Sequence, residues 1–192
     1  TLIAAMLLVP WVGWGQEENQ PVEQFGLSVT GPEGSFTFNS DNSNLLQIQG
    51  NGVTVTNTKD DEGNIIPANC KITINCTKES DPENPIIVTL DNIDLRTEAE
   101  NAIPIAIETG SAVTIRLKGE NRVESPTQHV PGHNKGILET GSNVSLTIEG
   151  AEYGMLNIIN NDGRKNAIGG IKSEITIKSG LIKTNGGGIG GE

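Results

Sequence analysis

Apolar and polar residues alternate along this chain in short runs, and almost no stretch carries the spacing of an amphipathic helix. The runs are Val53-Thr54-Val55, Ile72-Thr73-Ile74, Val88-Thr89-Leu90, Val113-Thr114-Ile115-Arg116-Leu117, Val144-Ser145-Leu146-Thr147-Ile148 and Ile175-Thr176-Ile177. Period-two alternation predicts strands with one buried face. Asn, Gly, Ser and Asp separate the runs, as turns require.

The runs repeat. Ile107-Glu108-Thr109-Gly110-Ser111 returns as Leu138-Glu139-Thr140-Gly141-Ser142, 31 residues on. Val113, Val144 and Ile175 share that spacing, as do Ile115, Leu146 and Ile177, and Ile137 with Ile168. Ala167-Ile168-Gly169-Gly170 returns as Gly188-Ile189-Gly190-Gly191 after only 21. Strands that repeat while their loops vary in length predict a solenoid, in which Val113, Val144 and Ile175 stack as an inward ladder. A period of 21 suits three short strands and three turns, and 31 suits the same coil with an expanded turn. The expansions read as residues 125–135, 150–153 and 160–166.

The expected fold is therefore all-β, a right-handed parallel β-helix; the hand follows the general preference of crossover connections. Residues 48–192 form its coils, five to seven of them at these periods, and further coils or domains are expected beyond Glu192. Residues 16–47 read as an N-terminal β cap, with Gly31-Pro32-Glu33-Gly34 turning between Leu27-Ser28-Val29 and Phe36-Thr37-Phe38. Residues 1–15, uncharged and mostly apolar, read as part of a secretory signal peptide cut before Gln16. Export to the periplasm, cell surface or medium follows, with no membrane span after cleavage; a buried N-terminal helix or strand is the alternative. An oxidising compartment would permit a disulfide, but Cys70 and Cys76 flank one extended run whose ends lie about 20 Å apart, so no bond between them is expected.

Composition narrows the function. Among 192 residues the net charge is −11, which excludes nucleic acid and anionic lipid as partners. Twenty-four glycines and 34% apolar residues suit coils that bury little and turn often. After signal cleavage only Phe25, Phe36, Phe38 and Tyr153 remain as aromatics, too few for the flat platforms that neutral glycans favour.

The segments Val88–Leu95, Asn101–Ile107 and Val113–Asn121 resemble a family of bacterial carbohydrate-binding β-helix domains related in shape to pectate lyases. The Ala-Ile-Gly-Gly and Gly-Ile-Gly-Gly blocks resemble the Gly-rich coils of bacterial surface proteins. The resemblance covers residues 48–192 and implies an acidic polysaccharide as partner, with bound calcium. Oxygen donors suited to that cation are Asp91 and Asp94, beside Glu98 and Asn101, and Asp162 in the Asn161-Asp162 loop; solvated turn acids are the competing reading. A polyanionic sugar would be repelled by a net charge of −11 unless a divalent cation bridged them. Tyr153, Arg164 and His133 are the candidate sugar contacts, the last in an expanded loop.

Other chemistry finds less support. His129 and His133 are four apart, but Pro131 and Gly132 deny the helix that would aim both at zinc. Gly186–Gly191 lacks the Lys-Ser or Lys-Thr of a phosphate loop. Pectate lyases use an arginine with calcium, and Arg96, Arg116, Arg122 and Arg164 are available, but no acidic cluster is visible beside any of them in sequence. The expectation is a polysaccharide-binding module, with a structural surface spacer as alternative and a lyase as the third reading.

Overall fold

The computed structural model describes residues 20–40, 44–75, 83–99, 102–126, 136–151, 153–163 and 166–190, and every regular element among them is a strand. The first five are β1 (Val22–Gln24), β2 (Leu27–Thr30), β3 (Phe36–Asn39), β4 (Leu45–Ile48) and β5 (Val53–Asn57). Four complete three-strand coils follow. They are β6 (Lys71–Ile74), β7 (Ile86–Asp91), β8 (Asp94–Arg96); β9 (Ile105–Ile107), β10 (Ala112–Lys118), β11 (Glu120–Glu124); β12 (Leu138–Thr140), β13 (Ser145–Gly150), β14 (Met155–Ile159); and β15 (Asn166–Gly169), β16 (Glu174–Ile177), β17 (Leu181–Thr184). β18 (Gly188–Ile189) begins another.

Corresponding strands stack into three sheets. The first runs β1-β2-β5-β7-β10-β13-β16, the second β8-β11-β14-β17, and the third β3-β4-β6-β9-β12-β15-β18. From β4 and β5 onward all pairings within the coils are parallel. The chain is thus a parallel β-solenoid, with four full coils among the described residues where division by the sequence periods gives five to seven, because its loops take a larger share of the length.

The alternation in sequence becomes inside and outside. Ile86, Val88 and Leu90 of β7 meet Val113, Ile115 and Leu117 of β10, while Leu95, Val123, Leu156 and Ile158 close the core from the second sheet. All are buried, and each shields its neighbours above and below. The ladder differs in register from the 31-residue repeat. Val113 pairs with Leu146 and Leu146 with Ile175, steps of 33 and 29; Ile115, Ile148 and Ile177 follow likewise. Val144 is buried just before β13 instead of standing in the ladder. Ile107 likewise pairs with Thr140, not Leu138. A slip of two residues keeps every side chain on its own face, so the sequence pattern cannot distinguish the two registers. Ile168 does pair with Ile189, at the 21-residue step.

Two devices permit such close stacking. Gly169 has φ +146°, a conformation that disfavours side chains, and a Cβ there would collide with the carbonyl oxygen of Gly190 one coil on. A Cβ on Gly170 would strike the carbonyl oxygen of Thr140. The Gly-Gly repeat is thus a backbone contact. At the corners, buried asparagines satisfy main-chain groups that no ladder reaches. Asn121 accepts from Ile93 N–H at 3.1 Å and donates to the Met155 and Lys118 carbonyls at 3.1 and 3.2 Å. Asn57 accepts from Asp94 N–H at 2.6 Å and donates to Ile66 and Asp94 carbonyls.

At the N-terminal end the pairing is antiparallel, β1 on β2, β2 on β5 and β3 on β4. The Gly31–Gly34 turn carries the chain from the first sheet to the third, so β2 and β3 do not pair with each other. Phe38 takes edge-to-face contacts from Phe25 at 5.8 Å and Phe36 at 6.3 Å. Cys70 is a buried free thiol, which burial pushes up to about 12 from 9.0. Cys76, residues 1–19 and their expected cleavage point lie outside the described residues.

Candidate functional site

The corner between the first and second sheets is built differently in each coil. β7 turns into β8 through Asn92, at φ +55°, and β10 into β11 through Gly119, at φ +63°. The Asn92 carboxamide lies against Gly119 where any Cβ would collide with it, and its oxygen accepts from Glu120 N–H at 3.1 Å. β13 reaches β14 through residues 151–154, with Tyr153 at φ +65° and 85% exposed. A bulky residue in this region is strained by roughly 1–3 kcal/mol, and this one contributes its ring to no packed cluster.

Beside this corner lies a cleft of about 660 Å³, lined by Asn57, Lys59, Ile65, Asp91, Asn92 and Lys118, among others. Its outer wall is the loop 58–67, closed by the Lys59–Ile65 bridge. Asp60 stiffens the loop, its Oδ1 accepting from Glu62 N–H at 3.0 Å and Asn64 N–H at 2.8 Å. The Asn64 side chain is the main reason the Asp60 carboxyl sits below its usual value. On the floor, Lys118 Nζ donates to Asp91 Oδ2 at 2.7 Å and Asn92 Nδ2 to Asp91 Oδ1 at 2.6 Å.

The outer face of the second sheet carries a second polar array. Cross-strand register puts Asp94, Arg122, Asn157 and Lys183 in one row and Arg96, Glu124 and Ile159 in the next. Arg96 donates to Asp94 through Nε and Nη2, at 2.8 and 2.6 Å. Arg122 does the same to Glu124 Oε2, at 3.2 and 2.6 Å. Cross-strand contacts of 3.9 Å join Arg96 to Glu124 and Arg122 to Asp94, and Asn161 donates to Glu124 Oε1 at 2.6 Å. Partial burial pushes the Glu124 carboxyl up, but the bonds from Arg122 and Asn161 outweigh it and hold the group below its usual value. The hydrogen bond to Asp94 raises the Arg96 guanidinium. On the first sheet, Arg116 meets Glu149 at 2.7 Å.

These contacts correct one expectation. Arg96, Arg116 and Arg122 do have acids beside them, supplied across strands and by Asp94-x-Arg96 and Arg122-x-Glu124 along them. The signal was present in sequence as two opposite Asp/Glu and Arg alternations 28 residues apart, legible only once the strands are paired. Of the expected calcium ligands, Asp91 and Asp94 flank the same corner, and each already faces a cation. Asp162 is buried past the end of β14, where its N–H donates to Ser125 Oγ at 3.4 Å. Glu98 accepts from Asn69. Among the described residues no group of three or more His, Cys, Asp or Glu comes together that could hold a metal ion. His129, His133, Arg164 and Asn101 lie outside the described residues. No family model, curated protein or solved structure matches the chain.

Proposed function

We propose that the chain is an exported polysaccharide-binding module that takes an acidic glycan across the outer face of its second sheet and the adjoining corner cleft. The observation that carries this reading is the array of Asp94, Arg96, Arg122, Glu124 and Asn161 on one open face. Each guanidinium is held flat by a carboxylate through two of its five donors, so the others are pre-oriented at the surface. Carboxylate and amide oxygens beside them accept from sugar hydroxyls, while a guanidinium fork matches a uronate carboxylate. The array spans two neighbouring strands, roughly 4.8 Å apart, and Asn157 and Lys183 extend its first row along the axis, which suits a linear polymer. Tyr153, strained and exposed at the same corner, offers one ring for stacking against a sugar face.

The test is titration with polygalacturonate, in calcium and then in EDTA. Saturable binding that persists in EDTA and weakens about tenfold or more in Arg96→Ala and Arg122→Ala supports direct recognition by the arginines. Binding abolished by EDTA would move the recognition to a cation bridge. No binding by protein shown folded and β-rich by circular dichroism overturns the reading.

A further inference from the structure

The row of Asp94, Arg122, Asn157 and Lys183 on the second sheet is closed at one end. Ahead of β8 that sheet holds no further strand among the described residues. Ala68 alone pairs there, in parallel with Leu95, its N–H donating to the Asp94 carbonyl at 2.8 Å. Pro67 therefore stands beside Asp94 at the head of the row. The segment leading to it is a hairpin that bonds to itself. The Thr58 carbonyl accepts from Ile66 N–H at 3.0 Å, the Asn64 carbonyl from Asp60 N–H at 3.0 Å and the Asp60 carbonyl from Gly63 N–H at 2.9 Å. Residues 59–67 are exposed without a break, so the hairpin stands out from the coil as a wall. Its base is sealed. Thr58 N–H donates to the Gly26 carbonyl at 2.9 Å, and a Cβ on Gly26 would lie 3.0 Å from Ala68 Cα. Toward the later coils the row runs on through Asn157 to Lys183.

Charge marks the same boundary. The row carries Arg122 and Lys183, with Asp94 neutralised by Arg96, whereas the hairpin carries Asp60, Asp61 and Glu62 against Lys59 alone. Hydrogen bonds from Asn64 hold the Asp60 carboxyl below its usual value, so it stays ionised at neutral pH. A polyanion drawn along the row is stopped by the wall and repelled by its tip. In front of the wall lies the 660 Å³ cleft, with Lys59 and Lys118 among its lining. Lys118 Nζ spends one of its three donors on Asp91, and its side chain is 64% exposed, which leaves donors for a second carboxylate.

We infer that the chain holds its glycan by the end: the hairpin 58–67 is a stop, and the terminal uronate turns into the cleft before it with its carboxylate on Lys118 and Lys59. This rests on the reading of the arginine array as an acidic-glycan site. A polymer held at an internal stretch would have to continue past Pro67 and over the acidic tip, whereas a chain end needs only the row and the cleft.

Polygalacturonate cleaved to a series of mean lengths, all longer than the row, and offered to the full chain at equal mass tests it, in the medium in which the titration above shows binding. The number of sites per gram is expected to double each time the mean length is halved, because the number of chain ends doubles. Lys118→Ala, at an exposed position, should raise the dissociation constant about tenfold or more while leaving the number of sites unchanged. A constant number of sites per gram at every length, with binding still weakened in Arg122→Ala, overturns the inference and leaves the arginine face as a site for internal stretches. So does a Lys118→Ala variant, shown folded by circular dichroism, that binds as tightly as the wild type. No binding at any length by folded wild type overturns the reading of the array itself, and this inference with it.

Discussion

The third and fourth complete coils have the same strand pattern and opposite fates. In β13 and β14, Leu146, Ile148, Leu156 and Ile158 are buried. In β16 and β17, their ladder partners Ile175 and Ile182 are only partly covered, and Ile177 is exposed. Nothing in the alternation of the two segments separates them. Burial in a solenoid belongs to the stack, because each strand is covered by its neighbours on either side and the end coil has only one. Among the described residues stability should therefore be concentrated in the middle coils, which are covered on both sides.

The largest expected contrast is in the core. Leu146→Ala removes a buried side chain enclosed by coils on both sides and should cost about 2–5 kcal/mol. Ile177→Ala should stay within about 0.5 kcal/mol. Urea unfolding measures both; equal losses would mean that Ile177 is covered as fully as Leu146. A smaller contrast lies in the Gly-rich blocks. Gly170→Ala drives a methyl group into the Thr140 carbonyl below and should cost about 1–3 kcal/mol. Gly188→Ala meets nothing within 4 Å and should be close to neutral. The same unfolding curves decide, and a harmless Gly170→Ala would show that the two coils can move apart without loss.

The sequence revealed the solenoid because alternation and turn residues are local, and every inward run it pointed to, from Val53 to Ile148, faces the core. It misplaced the ladder by two residues because the Glu-Thr-Gly-Ser repeat spaces the turns in sequence, while the strands pair according to loop lengths that differ from coil to coil. Tyr153 was legible as an exposed turn aromatic. The arginine–carboxylate face was not, since Asp94 and Arg122 are 28 residues apart and become neighbours only through register. The asparagines at the corners were hidden for a related reason. Asn121 looks like any turn residue, and its burial follows from main-chain groups contributed by three coils.

The smallest effect sharpens the comparison on the outer face. Glu124 in the second complete coil is held by Arg122 and Asn161, whereas the last coil presents Lys183 beside the neutral Asn157. Because the Glu124 carboxyl is lowered in the folded chain from its value of 4.5, its network stabilises the fold above that pH. The contribution is lost as pH falls through the folded-state value. Both partners of the ion pair are partly exposed, so screening limits the gain to about 0.2–1 kcal/mol. Glu124→Gln should therefore lower stability by that amount at pH 7, and the difference from wild type should shrink as the medium is acidified below 4.5. Lys183→Gln, with no carboxylate across the strand, should show neither the loss nor the pH dependence. Paired urea curves at neutral and acid pH separate the cases. If Glu124→Gln tracks Lys183→Gln at both, the ordered arginines contribute nothing to holding the chain together, and their geometry is left to be explained by what they bind.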